Sequence, residues 1–462
     1  MSTSNSIPTA SGALPLLDHL VPLLRDPLRL LMSLPAHGDL VRIGLGPVPA
    51  VVVCDPGLTE YVLRHDHIYD KGGPIYRRGR EVLGDGLGTC SYAVHRRQRR
   101  LLRPAFGGDR IRAYAQVMTE QVTALTGSWR DGQIIDVYSE MKQLTSAVMT
   151  ATLFSDTVPD AIAWQAGEDL TTLVDGIVRR ALVPPQLDRL PTPGNRAFAR
   201  VRTRLRDILG TIVTDRRCDG TDHGDLLAAL LGARDADGRG LTGTEIADQV
   251  ITFFGAGVDT SATTLAWALY LIDRHPAVAD RLHREVDTVI AGRPALHADL
   301  PKLQVTGRII TETLRMYPPG WLFTRTVTED TDLGGYHLRA GTIIVYSPYL
   351  IHHRSDLYPG PERFDPDRPD PARGAFIPFG GGARKCIGND FAVTGATLAL
   401  ATLTACWELH VLPGTHVRPA RSTVLHPARL RMRATIRKHQ TLSTPCSADH
   451  VHPATTSDSW KG

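Results

Sequence analysis

The segment Phe379-Gly380-Gly381-Gly382-Ala383-Arg384-Lys385-Cys386-Ile387-Gly388 holds one cysteine in a glycine-rich setting, and a predicted helix, Asn389 to Leu403, follows it. Glycines let a backbone turn tightly and approach a flat object closely. The start of a helix presents free N–H groups and a partial positive charge, which lower the pKa of a nearby thiol from about 8.5. We therefore expect Cys386 to be a thiolate that acts either as a nucleophile or as a metal ligand. No second Cys or His stands at the spacing of a zinc site.

The composition is that of an ordinary globular protein, since 42% of the 462 residues are hydrophobic and 22% are charged. The net charge of +4 gives no support to nucleic-acid binding. Six scattered cysteines indicate a reducing compartment and no disulfide framework. Residues 1–13 lack the features of a signal peptide, and no apolar run reaches ~18 residues, the length of a membrane span. We expect a cytoplasmic protein without a membrane segment.

Local sequence patterns suggest how the chain is divided. We expect a flexible N-terminus (1–13), a single domain (14–437) and a disordered, polar C-terminal tail (438–462). Within the domain, the patterns predict a hairpin of Asp39–Leu45 and Ala50–Cys54 about the turn Gly46-Pro47, an irregular Gly-rich stretch over 66–92, amphipathic helices over 110–235 broken at Pro184-Pro185, and strands over 405–437.

A long central helix is predicted from Leu241 to His275, with Thr242 or Thr244 as its N-cap. It contains no proline and is apolar on most sides, which indicates a buried helix. One face carries only small or polar residues, at i, i+3, i+4, i+7, i+8 and i+11: Thr252, Gly255, Ala256, Asp259, Thr260 and Thr263. This face either allows close helix packing beside a solvated Asp259, or leaves space for a ligand next to an acid–alcohol pair.

Two further patterns are ambiguous when taken alone. The run His95-Arg96-Arg97-Gln98-Arg99-Arg100 opens a helix and places His95 and Arg99 on one face, yet most charge runs are solvated surfaces. Glu312 and Arg315 stand at i, i+3 and can form an ion pair on one side of a helix, which is a common spacing.

Together these motifs resemble, in order along the chain, those of the cytochrome P-450 superfamily. The cysteine segment matches Phe-x-x-Gly-x-Arg-x-Cys-x-Gly, Ala256-Gly257-Val258-Asp259-Thr260 matches the oxygen-activation motif, and Glu312-x-x-Arg315 matches a structural ion pair. The resemblance implies a mainly α fold with a small β-rich lobe, in which haem b lies between the long central helix and the cysteine loop. With neither a signal peptide nor a membrane segment expected, the chain looks like the soluble bacterial members.

The resemblance also implies roles for particular residues. Cys386 is the expected iron ligand, and Asp259 and Thr260 are the expected catalytic pair, which delivers protons. The expected cofactor-binding residues are His95, Arg99, Arg325, Phe379, Gly382, Arg384 and Gly388. Val94 stands where a Trp often precedes the histidine. The Glu312–Arg315 pair is completed by a later arginine, for which Arg368 is chosen over Arg363, although Pro369 follows it where an aromatic residue is usual.

The substrate pocket is expected beside the central helix and beneath the stretch 66–92, with the helices of 110–235 as a lid. Its expected residues are Ile75, Tyr76, Thr252, Gly255, Ala256, Trp321, Leu322 and Phe323, although the last three also suit an ordinary core. These small and aromatic side chains favour a bulky, mostly apolar substrate. The segments His95–Phe106 and Tyr336–Arg354 look most like bacterial enzymes that oxidise cyclic terpenes, and macrolide or polyketide substrates remain open.

The function implied is a monooxygenase of secondary metabolism that receives electrons from NAD(P)H through a ferredoxin reductase and a ferredoxin. A haem-thiolate isomerase, peroxygenase or coupling enzyme and a haem sensor are the alternatives, and the intact Asp259–Thr260 pair argues against an isomerase or peroxygenase. We expect a monomer that docks an acidic ferredoxin on a basic surface, formed by Arg96, Arg97, Arg100, Arg103 and Lys385.

Overall fold

The computed structural model describes residues 6–13, 18–45, 48–155, 158–181, 190–420, 422 and 424–437. The predicted tail 438–462, the turn Gly46-Pro47 and the break at Pro184-Pro185 lie outside the described residues, as does the start of the N-terminal segment, so these predictions stay predictions.

Helices dominate the described chain, which confirms the predicted fold class. In chain order they are α1 (Leu20–Arg25), α2 (Pro27–Ser33), α3 (Pro56–Arg64), α4 (Pro74–Leu83), α5 (Tyr92–Leu102), α6 (Gly108–Ser128), α7 (Val137–Phe154), α8 (Asp160–Ala181), α9 (Pro193–Asp219), α10 (Leu226–Gly232), α11 (Gly243–Arg274), α12 (Pro276–Val289), α13 (Gln304–Met316), α14 (Pro348–His352) and α15 (Asn389–Cys406). None of these described helices combines the length and the apolar composition that crossing a lipid bilayer requires.

Helix α11 is the predicted central helix. Thr242 caps it: its hydroxyl accepts from the N–H of Glu245 at 3.1 Å, and the Glu245 carboxylate accepts from the N–H of Thr242 at 2.8 Å. The helix ends before Pro276, because a residue that precedes proline avoids the α conformation. Its 32 residues span about 48 Å, and it packs against α7, α13 and α15. It therefore forms the centre of the helical core.

The strands form small sheets at the side of the helices. They are β1 (Leu40–Leu45), β2 (Val48–Val53), β3 (Tyr69–Asp70), β4 (Ile134–Asp136), β5 (Phe323–Val327), β6 (Thr331–Leu333), β7 (Tyr336–Leu338), β8 (Ile343–Tyr346), β9 (Trp407–Val411), β10 (Arg418–Pro419), β11 (Pro427–Ala428) and β12 (Arg431–Ile436). The largest sheet has the order β1-β2-β8-β5-β3, and a second sheet has the order β4-β12-β9.

The five-stranded sheet is buried on both faces. Along β2, Ala50 and Val52 belong to one apolar cluster and Val51 and Val53 to another, as the two-residue period of a strand requires. Strands β1 and β2 pair as the predicted antiparallel hairpin, and β2 pairs with β8 in parallel. The sheet thus joins the N-terminal part of the chain to the segments that follow α13.

Two predictions of local structure were wrong in part. The stretch 66–92 contains β3 and α4, and its irregular parts are residues 66–68, 71–73 and Gly84–Ser91. The range 405–437 contains β9 to β12 with turns between them. Its first two residues are not in a strand, since α15 continues to Cys406 before β9 begins. Both errors arise where glycines or short apolar runs leave no clear period.

A buried ion pair holds the irregular chain between α14 and α15. Arg315 donates to both carboxylate oxygens of Glu312, at 2.8 and 2.9 Å, and also to the carbonyl of His352 at 3.0 Å. Arg368 donates to Glu312 at 3.3 Å, whereas the side chain of Arg363 pairs with Asp365 on the surface. The structure therefore places Arg368, and not the side chain of Arg363, on the buried carboxylate.

Candidate active site

The backbone of the cysteine loop requires glycine at position 382. Gly380 and Gly382 have φ of +68° and +62°, where other residues are strained. A Cβ on Gly382 would lie 2.0 Å from the carbonyl oxygen of Leu63, because the loop lies directly on the end of α3. The N–H of Cys386 donates to the carbonyl of Phe379 at 2.9 Å and closes the loop.

The Cys386 thiol is reachable by solvent, yet protein surrounds it on most sides. Burial raises the pKa of this thiol above its ordinary value, while the N–H of Gly388 and the charges of Arg99, Lys71 and Lys385 act in the opposite direction. The predicted lowering of the thiol pKa was therefore wrong for the protein alone, since desolvation outweighs the helix start and the cations. A coordinated metal ion deprotonates a thiol outright, so the donor set still suits a thiolate ligand.

Helix α11 is buried from Ile246 to Leu269 except for a short stretch at its middle. Gly257 and Ser261 line a small apolar cavity shared with α6, α7 and α15. Gly255, Ala256 and Thr260 are also accessible, and Ala256 is the most exposed of the three. These three residues, here called the open patch of α11, mark space beside the helix for a ligand.

The two members of the acid–alcohol pair, Asp259 and Thr260, have different surroundings. Thr260 donates its hydroxyl proton to the carbonyl of Ala256 at 2.6 Å, which leaves its oxygen at the open patch. Asp259 points toward α7, where its carboxylate lies 2.9 Å from Nζ of Lys142 and accepts from the Tyr138 hydroxyl at 3.3 Å. Asp259 is thus held by a cation and a hydroxyl and is not simply solvated.

Thr252 lies on the same face of α11 but is covered by the chain. A Cβ on Gly86 would come within 2.1 Å of its hydroxyl oxygen, so the Gly84–Ser91 segment lies directly on the helix here. The N–H groups of Asp85 and Leu87 donate to Asp248 and Gln249 of α11 at 2.9 and 3.0 Å. The segment therefore forms a cover over this part of the predicted pocket.

Arg384 connects the cysteine loop to two other parts of the chain. Its buried guanidinium pairs with Asp66 at 3.2 Å and with Asp70 at 2.5 Å, and it donates to the carbonyl of Cys90 at 2.8 Å. These charge-assisted bonds fix the loop relative to β3 and to the start of α5.

His95 and Arg99 both lie near this arginine. His95 is buried, its Nδ1 has no hydrogen-bond partner among the described residues, and burial together with the charges of Arg384, Lys71, Arg99 and Arg325 lowers its pKa to about 3. His95 is therefore a neutral imidazole near pH 7, suited to donate a hydrogen bond to an anion. Arg99 donates to the carbonyl of Lys385, beside the cysteine.

Arg325 enters the same cluster from β5. It donates to the hydroxyls of Tyr76 and Tyr346 at 3.4 and 3.3 Å and is buried. Tyr76, expected in the substrate pocket, thus contacts a cation. Ile75 belongs to the same helix, but its side chain lies outside the described residues.

The charges in this cluster do not balance. Four cations act on His95, and two carboxylates accept from Arg384, which leaves a surplus of two positive charges among these described groups. The cations are Lys71, Arg99, Arg325 and Arg384, and the carboxylates are Asp66 and Asp70. Haem carries two carboxylates, so these residues fit that group. Lys71, Asp66 and Asp70 were not predicted from the sequence, because they stand in a stretch without periodicity.

Three residues expected in the substrate pocket lie after α13 and contact an apolar core. Trp321, Leu322 and Phe323 are half-buried and pack on the apolar cluster at one face of the five-stranded sheet. The indole N–H of Trp321 donates to the carbonyl of Ser422 at 3.2 Å. Phe379 is half-buried against the helical core.

One arginine of the predicted docking surface is held in ion pairs. Arg97 pairs with Asp235 at 3.3 Å and Glu245 at 2.9 Å, and donates to the carbonyl of Gly240. It therefore ties α5 to the start of α11. Arg96, Arg100, Arg103 and Lys385 are exposed.

Comparison with known proteins gives consistent results. The family model described as Cytochrome P450 matches residues 16–433. The chain is 46% identical over 436 residues to the pentalenene oxygenase of Streptomyces avermitilis, covering 93% of this chain and 97% of that protein. It is 44% identical over 433 residues to the cyclooctatin synthase of Streptomyces melanosporofaciens, covering 92% and 94%.

A solved structure has the same fold. The crystal structure of the cytochrome P450DA heme domain superposes with a TM-score of 0.85 at 26% identity, covering 94% of this chain and 98% of that chain. The similarity in sequence and in structure thus extends over nearly the whole of each protein.

Proposed function

The chain belongs to the cytochrome P450 family and is a monooxygenase, and we propose that it oxidises a cyclic terpenoid at the open patch of α11. The observation that carries the haem site of this proposal is an exposed cysteine beside a cation cluster with two positive charges in surplus when Lys71 is protonated. The family implies a haem with a thiolate ligand. When bound, this group supplies the activation of O2.

The residues of this chain would divide the work as follows. Cys386 would hold the iron, and the N–H of Gly388 would tune the sulfur. His95, Arg99, Arg325 and Arg384 would hold the two carboxylates. Phe379, Gly382 and Gly388 would shape the loop against the ring. Thr260 and Asp259 would deliver protons to the reacting oxygen at the open patch.

The domain organisation is also a proposal. We propose that residues 14–437 form one catalytic domain, because one apolar cluster contains side chains from Ala115 to Ala434. The cytoplasmic location and the monomeric state stay predictions.

Replacing Cys386 with Ser should abolish the thiolate-type carbon monoxide difference spectrum of the reduced protein, because a hydroxyl cannot supply a thiolate. Cys218→Ser changes an exposed cysteine on α9 and should leave the spectrum of the parent. An unchanged spectrum in Cys386→Ser would contradict the assignment of the ligand and with it the proposed function.

The threonine prediction tests the monooxygenase chemistry. In Thr260→Ala, NADPH consumption should continue, while product per NADPH should fall roughly tenfold or more and hydrogen peroxide should rise, because proton delivery is no longer directed. Thr264→Ala removes a buried hydroxyl that donates to the carbonyl of Thr260, and should keep the parent's ratio. An equal ratio of product to NADPH in Thr260→Ala and the parent would favour one of the alternatives, which are an isomerase, a peroxygenase or an enzyme that joins two substrate molecules.

The terpenoid class is inferred from the names of the relatives, which are a pentalenene oxygenase and a cyclooctatin synthase, and from the small side chains of the open patch. A bulky, apolar ring system fits such a surface, since it needs space more than hydrogen bonds.

Titration of the ferric protein with polycyclic terpenes should therefore shift the haem absorption band at micromolar concentration, because a bound ring system excludes water from the open patch. Macrolides and aromatic polyketides of similar mass form the comparison set. A shift with one of these and none with the terpenes would replace the proposed substrate class.

Electrons would come from NAD(P)H through a ferredoxin reductase and a ferredoxin. Arg96, Arg100 and Arg103 stand at i, i+4 and i+7 of the α5 region, on one face and exposed, and Arg103 acts on Arg99, which contacts the cysteine loop. An acidic ferredoxin would be steered to this basic face.

Reversing two of these charges, in Arg100→Glu with Arg103→Glu, should slow reduction by ferredoxin at low ionic strength and weaken its dependence on salt. The matched control is Arg274→Glu with Arg284→Glu, which reverses two exposed arginines at the end of α11 and on α12. Equal reduction rates in both variants would remove α5 from the docking surface.

A further inference from the structure

Lys71 follows β3 and reaches into the cation cluster of the candidate site. Its ammonium donates to the carbonyls of Leu87 and Gly88 at 3.2 and 2.6 Å, and the third N–H has no partner among the described residues. The residue as a whole is half-buried, but its ammonium lies deep enough that burial, with the charges of Arg325 and Arg384, lowers the pKa of Lys71 to about 7. The surroundings thus disfavour the cation unless an anion joins it.

The carboxylate nearest in sequence is already occupied. Asp70 accepts from Arg384 at 2.5 Å, from the N–H of Lys71 itself at 2.7 Å and from the N–H of Tyr92 at 2.8 Å. Asp66 likewise pairs with Arg384. When protonated, Lys71 therefore contributes one of the two surplus positive charges of the cluster.

Cations from three elements hold one continuous run of backbone in the cover of the pocket. Besides the bonds from Lys71 to Leu87 and Gly88, Arg80 donates to the carbonyl of Thr89 at 2.9 Å and Arg384 to that of Cys90 at 2.8 Å. Lys71 also keeps one N–H without a hydrogen-bond partner among the described residues, which is left for a ligand.

We propose that Lys71 binds a carboxylate of the haem and thereby ties the Gly84–Ser91 segment to the cofactor. The inference rests on the proposed haem site and adds a residue to it. Its ammonium donates to Leu87 and Gly88, and Arg384 from the cysteine loop donates to Cys90 in the same run of backbone, so Lys71 stands beside a cation that is expected to hold the haem. One ammonium then joins the cofactor to two carbonyls of the pocket cover.

Haem transfer to apomyoglobin tests the contact with the cofactor. Lys71→Met should release haem about tenfold faster than the parent or more, since a hydrogen bond to a charged group is lost. Lys302→Met removes an exposed lysine on a different segment and should match the parent. Release from Lys71→Met at the parent's rate would overturn the proposal.

A second variant separates the charge of Lys71 from its role in holding the chain. Lys71→Gln keeps a donor for Leu87 and Gly88 but has no positive charge, so it should release haem as fast as Lys71→Met. If Lys71→Gln retains haem like the parent, the charge is not used and the proposal is wrong.

Hydrogen exchange of the amides in Gly84–Ser91 tests the link to the cover. In the parent, haem should slow exchange of this segment relative to the haem-free protein, and in Lys71→Met the slowing should be much smaller. A purely structural lysine would instead raise exchange equally in both forms, which would overturn the proposal. The parent's own carbon monoxide spectrum separates the two claims: its absence defeats the proposed function, whereas a normal spectrum with unchanged haem release in Lys71→Met defeats only this inference.

Discussion

The buried guanidinium of Arg384 is the contact on which the site depends. It lies two residues before the cysteine and pairs with carboxylates that are more than 300 positions away in the chain. A buried charge is costly unless it is paired and hydrogen-bonded, and Asp66, Asp70 and the carbonyl of Cys90 meet that requirement together. The loop that carries Cys386 is consequently placed against β3 and the start of α5, and the remaining cations gather around it.

Helix α11 positions the open patch by a different means. It is buried through most of its length, so the few accessible residues at its middle define where a ligand can approach. Small side chains at Gly255 and Ala256 leave that space, and the Thr260 hydroxyl is the polar group facing it. The cost of burying Asp259 is offset by Lys142 and Tyr138 on α7, so the acid is positioned by a neighbouring helix rather than by solvent.

Much of this arrangement follows from the sequence, where a local rule governs the outcome. The cap at Thr242, the hairpin β1–β2 and the Glu312–Arg315 pair each depend on spacings of a few residues. Lys71 could not be found in this way, because its partners come from distant segments and its own stretch has no period. Arg97 lies in a surface-like charge run, but Asp235 and Glu245 hold it in ion pairs that the run does not predict. For the thiol of Cys386, the helix start was recognisable but the amount of burial was not, and burial has the larger effect.

Polar contacts of the protein hold the pocket cover, Gly84–Ser91, from two sides. Asp248 of α11 accepts from the N–H of Asp85 in the pocket cover and pairs with Arg206 of α9 at 3.0 Å. On its other side the cover is held by Lys71, Arg80 and Arg384. An apolar ring system cannot form hydrogen bonds with the segment that covers it. For the apolar substrate proposed above, the protein's own polar contacts therefore hold the cover between α9, α11 and the cations Lys71, Arg80 and Arg384, and such a substrate would contribute by filling the space beneath it.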